Sequence, residues 1–245
     1  MKETCRLYTD LAWLWPMWGD ATAEYAHYSE QVTALVRKYS ERKASTLLDI
    51  GCGGGKNVFN LKRDFSVTGL DLSPTMLAQA KELSPKCTFV HGDMRSFRLN
   101  SSFDAVLMDD AISHMSSRAD FMAAFRAAHA HLKPGGVLIV TPDVTTENFQ
   151  QNKTSTFSAT RSGVDVVFIE NVYDSDPTDE QYETTNLYLI REQGKLRIES
   201  DHWCMGIYPL NIWRQVLSET GFQVHEEHFS LDEEDYTMFV CVKPK

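Results

Sequence analysis

The stretch LLDIGCGGGKN, from Leu47 to Asn57, decides how the chain folds. An apolar run ends in an acid, and three glycines then stand at alternate positions, Gly51, Gly53 and Gly55. A strand that leads through a glycine turn into a helix presents backbone N–H groups to a ligand, and glycine lets that ligand come close. The stretch therefore predicts a strand, a ligand-binding turn and a helix.

The residues around the glycines narrow the choice of ligand. A dinucleotide fingerprint, GxGxxG, would need a third glycine where Lys56 stands. A phosphate-binding loop would need serine or threonine after the lysine, but Asn57 follows it. The carboxylate of Asp49 would repel a pyrophosphate and would attract an ammonium group.

A second acid, Asp71, ends the next predicted strand in VTGLDLS, twenty residues beyond Gly51. An acid at that strand end can bond both hydroxyls of a ribose. A ligand with a ribose, an amine and no phosphate fits both acids, and S-adenosylmethionine is such a ligand.

Strand and helix patterns alternate from about Thr46 to Val140, which predicts a parallel sheet with helices on both faces. The helix before strand five should end in LKPGG, with the strand at Val137 to Val140. Residues 141–163 are predicted to be irregular. The later strand-like runs have no helices between them, so they should pair antiparallel.

This order of motifs resembles the class I S-adenosylmethionine-dependent methyltransferases. LLDIGCGGG resembles the first motif of the family, VTGLDLSPTMLAQA the second and TFVHGDMRSF the third. FDAVLMDDAISHM is similar to the strand-four region, and LKPGGVLIV to the segment that leads into strand five.

The resemblance implies an α/β fold: a Rossmann-like, seven-stranded, mostly parallel sheet with an antiparallel β insertion after strand five. It divides the chain into a lid segment and helix (1–45), a cofactor-binding core (46–143), a β insertion that caps the substrate (144–205), and a closing helix and hairpin (206–245). It also implies S-adenosyl-L-methionine as cofactor and S-adenosyl-L-homocysteine as product.

The resemblance assigns the cofactor contacts residue by residue. Asp71 takes the ribose, Asp93 the adenine amino group and the Met94 backbone a ring nitrogen. The full expected set is Asp49, Gly51, Gly53, Gly55, Asp71, Leu72, Asp93, Met94 and Asp109. More narrowly, LYTDLAWLW, GDMRSFRL and the β-rich insertion resemble small-molecule N-methyltransferases such as the deoxysugar N,N-dimethyltransferases.

Asp110, His114 and His202 are the candidates for catalysis. Asp109 and Asp110 could bind a cationic amine or accept its proton, His114 could do either, and His202 could accept the proton. The alternatives are that Asp110 caps a helix, that His114 is solvated and that His202 is structural. By period two, His202 shares a face with apolar Leu196 and Ile198, which would point it at the substrate.

Aromatic residues near the amino end are candidates for a cap over the reacting sulfonium, because aromatic rings attract cations. They are Tyr8, Trp13, Trp15 and Trp18, and packing is the alternative role for each. The chain lacks the [ND]PP[YF] tetrapeptide of enzymes that methylate DNA bases or protein glutamine.

Charge and composition restrict the partners. A net charge of −10 and a pI near 5.3 disfavour a nucleic-acid substrate. No apolar run is long enough for a membrane span, and no His/Asp/Glu set has metal-ligand spacing. Five cysteines without a CxxC pair are typical of a reduced, cytoplasmic protein. The expected partner is a small-molecule acceptor, and a homodimer stays open.

Three functions therefore remain open from the sequence. The first is methyl transfer to a small polar molecule on an amine nitrogen. The second is O-methylation of a hydroxyl or carboxylate, and the third is a non-catalytic protein that binds S-adenosylmethionine. A nucleotide-dependent oxidoreductase is opposed by Lys56 and Asp49.

Overall fold

The computed structural model describes residues 5–22, 24–231 and 234–245. The predicted start of the first helix at Ala23 lies outside the described residues. The helices are α1 Glu24–Tyr39, α2 Lys56–Leu61, α3 Pro74–Leu83, α4 Arg118–His131 and α5 Leu210–Glu219. The strands are β1 Thr46–Ile50, β2 Ser66–Asp71, β3 Thr88–His91, β4 Phe103–Met108, β5 Leu132–Val140, β6 Thr154–Arg161, β7 Val164–Tyr173, β8 Gln181–Glu192, β9 Lys195–Gly206, β10 Gln223–Leu231 and β11 Glu234–Val242.

Seven strands form the core sheet, in the order β10-β11-β5-β4-β1-β2-β3. The strands β3, β2, β1, β4 and β5 pair parallel, and β11 pairs antiparallel with both β5 and β10. This confirms the predicted fold. The order places the carboxyl ends of β2, β1 and β4 side by side, so the residues that follow these strands share one edge, where α/β sheets bind ligands.

Helices cover both faces of the core sheet, which is why its central strands are apolar without alternation. One buried cluster joins β1 and β4 to α1, and the other joins them to α4 and α5. The starts of α3 and α4 follow from their caps. Ser73 accepts a bond from the Met76 N–H, with Pro74 at the first helical position, and Ser117 accepts one from the Asp120 N–H, both 3.2 Å long.

Two sequence predictions about the second half of the chain were wrong. LKPGG does not separate α4 from the strand, because β5 already begins at Leu132, which pairs with Phe103 across a register shift. Thr154–Arg161, expected to be irregular, forms strand β6. Most of its side chains are exposed, so it carries little of the apolar pattern that identifies a strand.

A second sheet, the cap sheet β6-β7-β8-β9, is antiparallel throughout. Only one of its faces is buried. On β8 that inner face carries Tyr182, Thr184, Asn186, Tyr188 and Ile190, while the residues between them are exposed or half-buried.

The segment Cys5–Asp20, here called the lid segment, packs against the inner face of the cap sheet. It contains two 3-10 helices, Arg6–Tyr8 and Ala12–Met17. Leu7 and Leu14 are fully buried in a cluster with side chains of β7, β8 and β9. The lid segment therefore belongs to the hydrophobic core of the cap.

None of the helices in the described part of the chain combines the length and apolar character needed to cross a bilayer. Within the same residues, no group of three or more His, Cys, Asp or Glu side chains is arranged to hold a metal ion.

Candidate functional site

The glycine turn lies at the shared edge of β1 and β2. The N–H groups of Gly51 and Cys52 both donate to the Leu70 carbonyl, at 2.7 and 3.0 Å, so the turn folds back over the end of β2. Gly51 has φ +77°, and a Cβ placed on it would lie 2.2 Å from the Cβ of Ala111. Any side chain at this position would close the space between the turn and the segment after β4.

Asp71 closes the other side of the turn. Its carboxylate accepts the Gly53 N–H and the Ser73 N–H, both at 2.8 Å. Burial raises the pKa of this carboxyl group, and the backbone N–H donors oppose the rise. The neighbouring Leu72 is 62 % exposed, and its carbonyl bonds Nε2 of His91 at 2.9 Å. An acid and an exposed apolar side chain thus stand together at the end of β2.

Asp49 is buried at the end of β1, and one of its carboxylate oxygens has no hydrogen-bond partner. Burial raises its pKa well above the ordinary value, and the charges of Asp109 and Asp71 raise it further.

Asp104, near the opposite edge of the sheet, is a buried acid whose pKa is shifted in the other direction. It is equally buried, but Lys133 and the N–H groups of Ser45 and Thr46 bond its carboxylate. These bonds lower its pKa despite its burial.

Asp109, directly after β4, is held in place by two side chains. Asn57 of α2 donates to its carboxylate at 3.0 Å, and Tyr28 of α1 also bonds it. Burial raises the pKa of Asp109, and these two bonds partly offset the rise. Asn57, which ruled out a phosphate loop in the sequence, therefore positions an acid of the site.

Asp110 begins the short 3-10 helix that contacts β9, at the junction of the core and cap sheets, here called the cleft, where it meets other acids. The charge of Asp143 is the largest cause that raises its pKa well above normal, followed by the surrounding protein, Asp109 and Glu170 of β7, although part of the Asp110 residue is exposed to solvent. Asp110 does not cap a helix, because it lies inside the short 3-10 helix Asp110–His114. The cleft thus concentrates carboxylates from the core sheet, the following loop and the cap.

His114 ends the same 3-10 helix, and its side chain is half-buried. Its Nε2 lies 3.2 Å from the hydroxyl of Tyr8, and its ring lies 6.0 Å from that of Trp203 on β9. Burial lowers its pKa to about 4, so the ring is neutral near pH 7 and can accept a proton.

In the third motif, TFVHGDMRSF, Asp93 was expected to bond the adenine amino group, but its carboxylate already has a partner. Both carboxylate oxygens of Asp93 bond the guanidinium of Arg95, which also reaches Asp120. The lone pairs of Asp93 are thus shared with a neighbouring cation. The side chain of Met94 reaches toward the glycine turn, with its Cε 3.5 Å from where a Cβ on Gly51 would lie. The expected bond from its backbone to a ring nitrogen stays a prediction.

Of the aromatic candidates, Tyr8 and Trp18 pack between the lid segment and the cap sheet. Tyr8 stacks on Trp203 with ring centroids 5.5 Å apart, and its carbonyl accepts the Ser73 hydroxyl at 2.5 Å. Trp18 packs edge-on against Phe168. Trp13 instead is 41 % exposed and lies near Arg197, so the structure does not bring it to the cleft.

Trp15 makes the closest approach of the lid to the glycine turn. A Cβ on Gly54 would lie 2.5 Å from its indole ring. The buried Lys56 has its Nζ 4.6 Å from the centre of the same ring and donates to the carbonyl of Trp18. Lys56, which stands where the GxGxxG motif needs a glycine, therefore attaches the lid segment to the glycine turn.

The expectation that His202 points at the substrate was wrong. On β9 the buried residues are Asp201, Trp203 and Met205, while Leu196 and Ile198 are exposed. His202 therefore lies on the outer face of the cap sheet. The alternation of side chains along β9 separated its two faces correctly, but the face that carries Leu196 and Ile198 is the one exposed to solvent.

Three groups that line the cleft were not predicted from the sequence: Asp143, Glu170 and Trp203. Two of them contribute to the acidity around Asp110, and Trp203 packs against His114. Assigning the inner face of the cap from the odd positions of β9 would have found Trp203. Nothing local distinguishes Asp143 or Glu170, since only the packing of cap on core brings them to Asp110.

Comparison with known proteins agrees with this geometry. Residues 47–136 match the model of a methyltransferase domain. The chain is 41 % identical over 128 residues to dTDP-3-amino-3,6-dideoxy-alpha-D-glucopyranose N,N-dimethyltransferase of Streptomyces fradiae. It is 35 % identical over 142 residues to dTDP-3-amino-3,4,6-trideoxy-alpha-D-glucopyranose N,N-dimethyltransferase of Streptomyces venezuelae. These matches span 51 % and 57 % of the chain, and 50 % and 60 % of the two relatives.

Solved structures match over nearly the whole chain. DesVI of Streptomyces venezuelae superposes with a TM-score of 0.82 at 27 % identity, covering 96 % of both chains. The sugar N-methyltransferase KedS8 of Streptoalloteichus sp. gives a TM-score of 0.82 at 25 % identity, covering 96 % of this chain and 92 % of that one. The motifs, the fold and these matches agree: residues 47–136 form a methyltransferase domain, and the chain as a whole is similar to deoxysugar N-methyltransferases.

Proposed function

We propose that this protein methylates an amine nitrogen on a small polar molecule, with S-adenosylmethionine as the donor. The observation that carries the proposal is the set of carboxylates around Asp110, next to the neutral imidazole of His114. An acidic cleft attracts an ammonium group, and a neutral imidazole can take the proton that an ammonium group must lose before it attacks.

The residues at the edge of the sheet fit the cofactor. The carboxylate of Asp71 suits the ribose hydroxyls, and the exposed Leu72 suits an adenine face. The unpartnered oxygen of Asp49 suits the ammonium group of the methionine part, which lies near a turn where Gly51 leaves no room for a side chain. When bound, S-adenosylmethionine supplies an electrophilic methyl group on a sulfonium.

The acids and the histidine would act in sequence on the acceptor. Asp110 and its neighbours favour the charged amine, so they promote binding but also hold its proton. His114 would resolve this conflict because burial keeps its imidazole neutral, and the contact of its Nε2 with the Tyr8 hydroxyl holds the ring in place. The lid segment excludes water from the reacting centre, which an in-line displacement requires more than acid–base power.

The relatives suggest the kind of acceptor. Two of them are named for N,N-dimethylation of amino-deoxy sugars carried on dTDP. We propose an amino sugar or a similar hydroxylated amine as the substrate class.

Transfer of tritium from methyl-labelled S-adenosylmethionine tests the function directly. The enzyme would be offered amino sugars, matched sugars with hydroxyl in place of the amine, and sugar carboxylates. Label on nitrogen supports the proposal. Label only on oxygen would overturn the amine assignment, and no label despite tight cofactor binding would indicate a non-catalytic binder.

A further inference from the structure

The inner face of the cap sheet carries polar side chains that the fold leaves unsatisfied. Asn186 on β8 is 0 % exposed, yet neither its amide nitrogen nor its amide oxygen has a hydrogen-bond partner. The hydroxyl of Tyr188, two residues along the same face and also 0 % exposed, has none either. Buried polar groups in folded proteins are almost always hydrogen-bonded, so two such neighbours need an explanation.

The strand register places Asn186 between two acids. It pairs with Glu170 on β7 and with Asp201 on β9. Directly opposed side chains in an antiparallel pair lie about 5 Å apart, so the three side chains form one row across the inner face.

The two ends of this row differ. At one end, Asp201 accepts the Leu7 N–H at 2.9 Å, so the lid segment covers it. At the other end, Glu170 is close enough to the acids of the cleft for its charge to raise the pKa of Asp110. Asn186 thus stands one strand away from the cleft where the amine is proposed to react.

We infer that Asn186 and Tyr188 form hydrogen bonds with a substrate hydroxyl group next to the reacting amine, an assignment that rests on the proposed function. The amide of Asn186 offers one donor and one acceptor side by side, and a hydroxyl can satisfy both. The substrate class is therefore a vicinal amino alcohol: its ammonium group lies toward Glu170 and Asp110, and its hydroxyl toward Asn186.

The test uses two acceptors that differ only in these hydroxyls. One is methyl 3-amino-3,6-dideoxyglucopyranoside, and the other is its analogue with hydrogen at both carbons that flank the amine. The wild-type protein should prefer the hydroxylated amine by about tenfold or more in kcat/KM, because a site built to bond a hydroxyl rejects the analogue that lacks it.

Asn186→Leu should reduce that preference to less than about twofold. Thr185→Val, on the outer face of the same strand, is the matched control and should keep the wild-type preference. Because leucine replaces an unsatisfied polar group, the variant should not melt below the wild type. If Asn186→Leu does not fold, Asn186→Ser takes its place with the same expectation.

Each outcome decides one question. A wild type that methylates both amines equally, or a variant that keeps the preference, would overturn the role of Asn186 and leave the N-methyltransferase proposal intact. A lower melting temperature with an unchanged preference would make Asn186 a structural residue that bonds a buried water. A wild type that methylates neither amine would overturn both proposals for this substrate class.

Discussion

The hydroxyl of Tyr8 lies 3.2 Å from Nε2 of His114, which joins the lid segment to the core residue that we propose as the proton acceptor. The two residues are 106 positions apart in the chain. Tyr8 also stacks on Trp203, so lid, core and cap meet at this one contact.

Tyr8→Phe should therefore reduce kcat by about tenfold, the usual effect of losing one hydrogen bond of ~1.4 kcal/mol. The affinity for S-adenosylhomocysteine should change less than about twofold, since the backbone of Tyr8, not its hydroxyl, bonds Ser73. Steady-state kinetics and calorimetry check both. Tyr39→Phe, which removes a hydroxyl bonded to Glu227 far from the cleft, is the control. An unchanged kcat in Tyr8→Phe would remove the hydroxyl from the mechanism.

Asp71→Ala should weaken the binding of S-adenosylhomocysteine by about 2 kcal/mol or more, because hydrogen bonds to a charged acceptor are lost. The matched control is Asp64→Ala, whose carboxylate pairs with Arg37 on the surface. Calorimetry of both variants measures the difference. Equal affinities in the two folded proteins would place the ribose elsewhere.

Asp143→Asn tests the acidic cleft through pH. Asp110 titrates higher in the folded protein than in the unfolded chain, where an aspartate ionises near pH 3.9. The folded state therefore binds more protons above that pH, and stability falls as pH rises through this window. Neutralising Asp143, the largest cause of the raised pKa, should reduce the fall, so the variant gains melting temperature over wild type at about pH 8 more than at about pH 5.

The same variant should bind the amine acceptor more weakly while its cofactor affinity is kept. Asp165→Asn, an exposed position on β7, controls for net charge. A melting difference that does not vary with pH would mean that Asp143 and Asp110 do not interact.

Gly54→Ala probes the contact between lid and glycine turn. The new methyl group would collide with the indole of Trp15, so S-adenosylhomocysteine binding should weaken as the lid is displaced. Trp15→Ala removes the colliding ring, and the double variant should therefore be no weaker than Trp15→Ala alone. Two losses that simply add would show that the positions are independent.

Much of the core could be predicted because its signals are local. A glycine turn between an apolar strand and a helix, and an acid at the next strand end, define the sheet edge in a few consecutive residues. Asp49 and Asp71 followed from that pattern alone. The bonds from Asn57 and Tyr28 to Asp109 did not, because a side chain on a helix reaches an acid only once the helix has packed.

The cap was harder to predict for a physical reason. It is a thin antiparallel sheet whose inner face mixes acids, amides and aromatic rings, while apolar Leu196 and Ile198 are exposed. Polarity therefore did not distinguish inside from outside, and His202 was assigned to the wrong face. Glu170 reaches the cleft only through the packing of one sheet against another.

The fastening of the lid has a consequence for the order of events in turnover. Lys56 and Gln79 bond its backbone on the core side, and Arg161 and Asp201 bond it on the cap side. Trp15 cannot leave the glycine turn unless these bonds loosen together. Binding of S-adenosylmethionine and release of the products then both require the same slow opening of the lid segment. The first turnover should therefore appear as a burst ahead of a slower steady state.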